Sequence, residues 1–259
     1  MEGFIVKKQV FFKKVATGLC ATFLGAFPVV AGAQESQFDD WEKFYTCNKA
    51  ILEHTHSKKL MKLPICRQAS NYTCGVACVR SLLRYTKYDF DIREDNLKVA
   101  LKADENNGTK WYNIANYLKA VRLDDTNHKY FEVEKREHMT VEDLIKEIKK
   151  GHPVMCAIQA WNWDENGEYT MDLDYSNEWE CGHWVIAIGY LRDNIIFMDP
   201  STEGNYTYIP KDKLVARWHD YNVDENNQRY NAIQWGLVIK INVDKPDGEK
   251  HAGHIYGLM

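Results

Sequence analysis

Gln68 stands six residues before Cys74, and Cys74-Gly75 opens an apolar run with helical spacing: Val76, Ala77, Cys78, Val79, Leu82 and Leu83. A thiol at a helix N-terminus lies among unpaired backbone N–H groups at the positive end of the helix dipole, which favours the thiolate. The same N–H groups, with an amide side chain close by, can hold a developing oxyanion. His183 opens a buried-strand pattern running to Leu191, and Asp199 closes the next strand, sixteen residues after the histidine. The turn Arg192-Asp193-Asn194 joins the two runs as a hairpin, so both residues fall at its open end. A carboxylate on one imidazole nitrogen fixes the tautomer and turns the other nitrogen towards a nucleophile. Cys74, His183 and Asp199 thus read as nucleophile, base and orienting group, with Gln68 as an oxyanion donor.

Taken singly, none of these residues is informative. A lone Cys74 is more often a buried core residue. A lone His183 is a satisfied histidine at a strand end, and Asp199-Pro200 is an ordinary strand terminator. Gln68 alone is a loop residue. The weight comes from all four standing in order on compatible local structures. Cys78, one helical turn past Cys74, reads as packing. Cys74 and Cys78 have a metal-ligand spacing, but no second pair accompanies them, so no metal and no cofactor is expected.

The elements that must position these side chains follow from periodicity. An amphipathic helix is predicted over 38–60, with Trp41, Phe44, Tyr45, Ile51 and Leu52 on its apolar side. Met61 to Pro64 reads as a short strand or an extended entry, followed by a helix from Cys74 to about Tyr88 and another over 92–103. Thr109 is the expected cap of a helix reaching about Val121. Thr140 and Asp143 form a capping box for a helix ending at Gly151. Strand patterns cover 129–134, 153–161, 183–191, 194–198 and 232–243, and a short helix covers 210–218. Residues 162–180 form an acidic, aromatic insertion. Helices followed by a mostly antiparallel sheet make an α+β domain.

Gln68…Cys74-Gly75, Gly182-His183-Trp184 and Met198-Asp199-Pro200-Ser201 resemble the papain-like cysteine peptidases. More closely, they resemble the bacteriocin-leader-processing (double-glycine) peptidases and their stand-alone secreted relatives. The likeness extends to Arg93-Glu94-Asp95, Gly108-Thr109, Gly151-His152-Pro153-Val154 and Tyr206 to Pro210, and spans roughly residues 61–220. It implies a helical half packed on an antiparallel sheet, with a cleft between them. It also implies hydrolysis of peptide bonds by Cys74, with His183 as base and then acid, Asp199 orienting, and the oxyanion held by Gln68 and the Cys74 N–H. The best-known leader peptidases are domains of peptide exporters, and this chain carries neither transporter nor ATPase. The same site could pass its acyl group to an amine or thiol, or the fold could serve as a silent binding module.

Lys7, Lys8, Lys13 and Lys14 precede an apolar stretch over 15–30, and Ala31-Gly32-Ala33 supplies the small residues of a cleavage site. The stretch is nearly long enough to span a membrane, but Pro28 and the small-residue site favour cleavage after Ala33 over an anchor. Secretion to the periplasm or the exterior is therefore expected, with no stable membrane insertion. The plan is a signal over 1–33, a helical extension over 34–60, a peptidase domain over 61–243 and a polar tail over 244–259. Beyond the signal, 29 basic residues stand against 36 acidic ones, a charge of −7 with no nucleic-acid footprint. A peptide or protein is the expected partner. Six cysteines remain, and Cys156–Cys181 and Cys47–Cys66 are the disulfides considered.

Overall fold

The computed structural model describes residues 58–86, 92–123, 128–162, 174–202, 206–224, 226 and 228–242. The chain divides into two units, Met1–Cys47 and Asn48–Met259, and every described residue belongs to the second. The proposed signal, residues 34–57, most of the acidic insertion and the tail lie outside the described residues. In chain order the elements are β1 (Lys58–Leu60), α1 (Cys74–Tyr85), α2 (Glu94–Ala100), α3 (Trp111–Ala120), β2 (Arg122–Leu123), β3 (His128–Lys129), β4 (Phe131–Arg136), α4 (Val141–Lys150), β5 (Val154–Gln159), β6 (Gly182–Leu191), β7 (Asn194–Met198), β8 (Tyr206–Pro210), α5 (Lys211–Arg217), β9 (His219–Val223), β10 (Arg229–Ile233) and β11 (Gly236–Ile241).

A seven-stranded antiparallel sheet runs β4-β11-β5-β6-β7-β8, with β1 added beside the far end of β6. The protein is α+β, as its patterning predicts. β6 is ten residues long and buried along nearly its whole length, because strands flank it on both sides and helices cover its face. α1 is apolar almost all round for a related reason: it packs on β6 and is itself covered by α2 and α3. Val76, Val79, Leu82 and Leu83 are fully buried there. Burying each such side chain contributes about 1.5–3 kcal/mol. Among the described residues, no helix is long and apolar enough to cross a membrane.

Several boundaries differ from the sequence expectations. Residues 58–60 are strand and not the end of a helix, because they pair with Gly189, Tyr190 and Leu191 of β6. Residues 61–64 are an extended entry rather than a strand, and Met61 continues β1 by one bond, from its N–H to the Ile188 carbonyl at 2.9 Å. Thr109 does not cap α3: Lys110 is the capping residue, and the Thr109 hydroxyl is buried without a partner. The strand expected over 232–243 divides at Gln234, whose φ of 47° turns the chain from the β9–β10 hairpin into the large sheet. The Thr140–Asp143 capping box and the left-handed Gly151 terminus of α4 form as expected.

Gly75 sets how closely α1 can approach its neighbours. A β-carbon there would stand 2.8 Å from Thr109 Cβ and 3.1 Å from Trp184 Cδ1. Neither is the free end of a flexible chain, so Gly75→Ala must push the helix away. Urea unfolding of that variant is expected to show a loss of about 1–3 kcal/mol, and unchanged stability would show that the helix has slack at this point.

Candidate active site

The N-terminus of α1 carries Cys74 with no side chain capping it. Thr73 occupies the capping position, but its hydroxyl turns back to Ser70, accepting from the Ser70 N–H at 3.1 Å and meeting the Ser70 carbonyl at 3.2 Å. The first turn has no acidic residue. No side chain therefore competes for the N–H groups of that turn.

Trp184 fastens this helix to the sheet. Its backbone N–H donates to Cys74 Sγ at 3.5 Å, and the Cys78 thiol donates to its carbonyl, also at 3.5 Å. The two sulfurs are one helical turn apart, so the backbone of one residue of β6 holds both ends of that turn. The indole Nε1 donates to the Thr109 carbonyl at 3.0 Å, and its ring meets Trp235 edge-on. Cys78 thus packs, as expected, and also contributes a hydrogen bond.

His183 precedes Trp184 on β6, pairs with Ile158, and is only 2% exposed. Its Nε2 lies 2.8 Å from Asp199 Oδ1, which leaves Nδ1 for another partner. Asp199 follows β7 directly and is held by Ser201, through its N–H at 2.8 Å and its hydroxyl at 2.7 Å. The Thr207 hydroxyl stands 3.4 Å from the other oxygen. Burial alone would lower the His183 pKa. The Asp199 hydrogen bond, and after it the neighbouring Cys74 sulfur, reverse this and raise it to about 9. Burial opposes ionisation of Asp199 too, but the His183 and Ser201 hydrogen bonds hold its carboxyl below the usual range. Trp161 tilts over the imidazole with ring centres 4.9 Å apart.

The structure therefore brings Cys74, His183 and Asp199 together. Gln68 joins them through its backbone, whose N–H donates to the Pro200 carbonyl at 2.9 Å. Its side-chain Nε2 donates to the Ser70 carbonyl at 2.8 Å, while Oε1 is buried without a partner. One of its two amide hydrogens is thus engaged locally. The supporting roles of Trp184, Thr109 and Thr207 were not foreseen. Trp184 stands beside His183 in sequence, but nothing local announces that its backbone meets two sulfurs from a helix more than a hundred residues earlier.

The Cys156–Cys181 disulfide does not form. Cys156 is a buried free thiol opposite Val185, whereas the Cys181 carbonyl accepts from the N–H of Ala160, four residues further along β5's direction. Cys66 is likewise a buried free thiol, 3.9 Å from Arg84 Nη1, and Cys47 lies outside the described residues.

No curated protein matches the chain. Three solved structures are similar to it. A double glycine motif protease from an AMS/PCAT transporter, in complex with the leader peptide, is 13% identical at a TM-score of 0.43, covering 73% of this chain and 96% of that one. The peptidase domain of Streptococcus ComA, a bi-functional ABC transporter involved in quorum sensing, is 14% identical at 0.44, covering 70% and 99%. A C39-like peptidase from Bacillus anthracis is 14% identical at 0.47, covering 74% and 100%. The Peptidase_C39 like family matches residues 60–224, a span that holds all four candidate residues. By that match the chain belongs to the Peptidase_C39 like family, and it is a cysteine-type peptidase.

Proposed function

We propose that this protein is an exported peptidase that cleaves peptide bonds through Cys74, His183 and Asp199, with Gln68 as an oxyanion donor. The observation that carries the reading is the His183 ring, held at 2.8 Å by Asp199, one residue before Trp184, whose N–H donates to Cys74 Sγ at the start of α1. The proton given up by Cys74 is carried on His183 Nδ1, and the sulfur attacks the substrate carbonyl carbon. The oxyanion is met by the Cys74 N–H and the second Gln68 amide hydrogen. The imidazolium then protonates the departing amine, leaving a thioester on Cys74. Water, deprotonated by His183, attacks that thioester and releases the acid and the free thiol. A ring with a pKa near 9 holds a proton at neutral pH, ready for the leaving amine. Export rests on the lysine-flanked apolar run and Ala31-Gly32-Ala33.

Purified protein incubated with a peptide mixture should yield new termini by mass spectrometry. Cys74→Ala should abolish them, and cleavage at the parental rate by that variant would sink the assignment. Gln68→Ala is expected to lower kcat by about 10²–10³ with little change in KM. A drop under threefold would remove Gln68 from the oxyanion site.

The ion pair also makes a stability prediction. The His183 pKa is raised from 6.5 to about 9, so its contribution is complete below about pH 6.5 and is lost as pH rises through 9. The Asp199 pKa is lowered from 3.8, so its contribution is present above about pH 4 and is lost as pH falls further. Asp199→Asn should therefore lower Tm most near pH 5–6 and least near pH 10. A loss independent of pH would mean that the pair does not carry the charge described.

A further inference from the structure

Gln159, the last residue of β5, has no exposed surface and sits opposite Gly182, one pair outward from Ile158 and His183. Its Oε1 accepts the Cys181 N–H at 2.9 Å. Its Nε2 donates to the His219 carbonyl at 3.0 Å and to Asp220 Oδ1 at 3.3 Å. Asp220 Oδ1 also accepts the Tyr221 N–H at 2.8 Å. The Asp220 carboxyl group occupies the space a β-carbon on Gly182 would need, with its Cγ 2.7 Å from that position. A buried amide and a carboxyl group thus converge on Cys181 and Gly182, the two residues that lead the chain into His183. An apolar filler would seal this place without the cost of burying a carboxyl group, so the polar choice calls for a use.

We propose that Asp220, with Gln159, is a positioning residue for His183, a clamp on the backbone at Gly182 whose protonation state is felt at the imidazole. The proposal rests on the peptidase reading of the site and adds a control on it. Asp220 makes none of the contacts that join Cys74, His183 and Asp199, so it acts through the strand and not on substrate. The groups facing it are Arg229 from β10, Glu180 ahead of β6, Gln159 from β5, and His219 and Tyr221 on its own strand. Burial pushes the Asp220 carboxyl up to about 7, against the Tyr221 N–H, the Gln159 amide and Arg229, while Glu180 raises it further. Ionised, Asp220 draws on both N–H donors as a charged acceptor. Protonated, it loses the charge that strengthens its 3.3 Å contact with Gln159, and the hold on Cys181 and Gly182 slackens.

The test is an NMR pH titration of the full chain with ring-labelled histidine and carboxyl-labelled aspartate, which needs no substrate. The His183 ring signal should show its main ionisation and a second, smaller step near pH 7. The Asp220 carboxyl signal should move over the same range. In Asp220→Asn, an isostere of the protonated acid, the small step should vanish while the main one remains. A small step that persists in that variant would belong to His219 and would overturn the proposal. Should the variant fail to fold, the unmodified protein still decides: a single-step His183 titration, or an Asp220 carboxyl that titrates below pH 5, overturns it equally. The peptidase reading fails separately, in the cleavage of peptides by Cys74→Ala.

Discussion

The backbone N–H and carbonyl of one residue of β6, Trp184, meet two sulfurs one helical turn apart. That contact depends on a close approach which Gly75 permits and the Thr109–Trp184 bond maintains. The candidate site depends on it. The helix end that carries Cys74 and the strand end that carries His183 belong to segments far apart in sequence. Neither has local geometry that would bring them together. A shift of α1 along β6 by even a fraction of a turn would separate thiol and imidazole while leaving most of the core buried. The candidate active site is thus the most demanding product of the packing, not a passenger on it.

The electrostatics follow from the same burial. An imidazole with only 2% of its surface exposed would ordinarily lose its proton. Asp199 reverses that, and Asp199 is itself kept ionised by Ser201 as well as by the ring. The hairpin β6–β7 supplies both partners, and the loop after β7 supplies the serine. The Gln68 backbone then ties the segment before α1 to Pro200. Helical and sheet halves are joined twice at the site, once through Trp184 and once through Pro200.

Much of this was legible along the chain, and the reasons differ by residue. His183 and Asp199 could be placed together because a tight turn between two apolar runs forces antiparallel pairing. Cys74 could be placed at a helix start because the apolar spacing begins there. The Thr140–Asp143 box is local chemistry and reads directly. Strand β1 was hidden because its partner lies at the far end of β6, and a three-residue strand carries no pattern of its own. The break between β10 and β11 was hidden because Gln234 takes a left-handed conformation that glycine or asparagine usually signals. The Gln68 side chain was assigned by its spacing from Cys74, and its bond to Ser70 arises from a turn that the spacing does not encode. The Cys156–Cys181 pairing failed on register: adjacent strands had been foreseen, but the offset along them had not.

The same cysteines offer the most direct test. Burial raises the pKa of the Cys66, Cys78 and Cys156 thiols, so these three resist alkylation in the folded protein. Cys74 stands beside His183 at an uncapped helix end. Brief treatment with iodoacetamide at pH 7, followed by peptide mapping, measures which sulfur reacts. The account predicts stoichiometric labelling of Cys74 ahead of those three, lost in His183→Ala and in denatured protein. Labelling of Cys74 no faster than that of free cysteine, or unchanged by removal of His183, would contradict it.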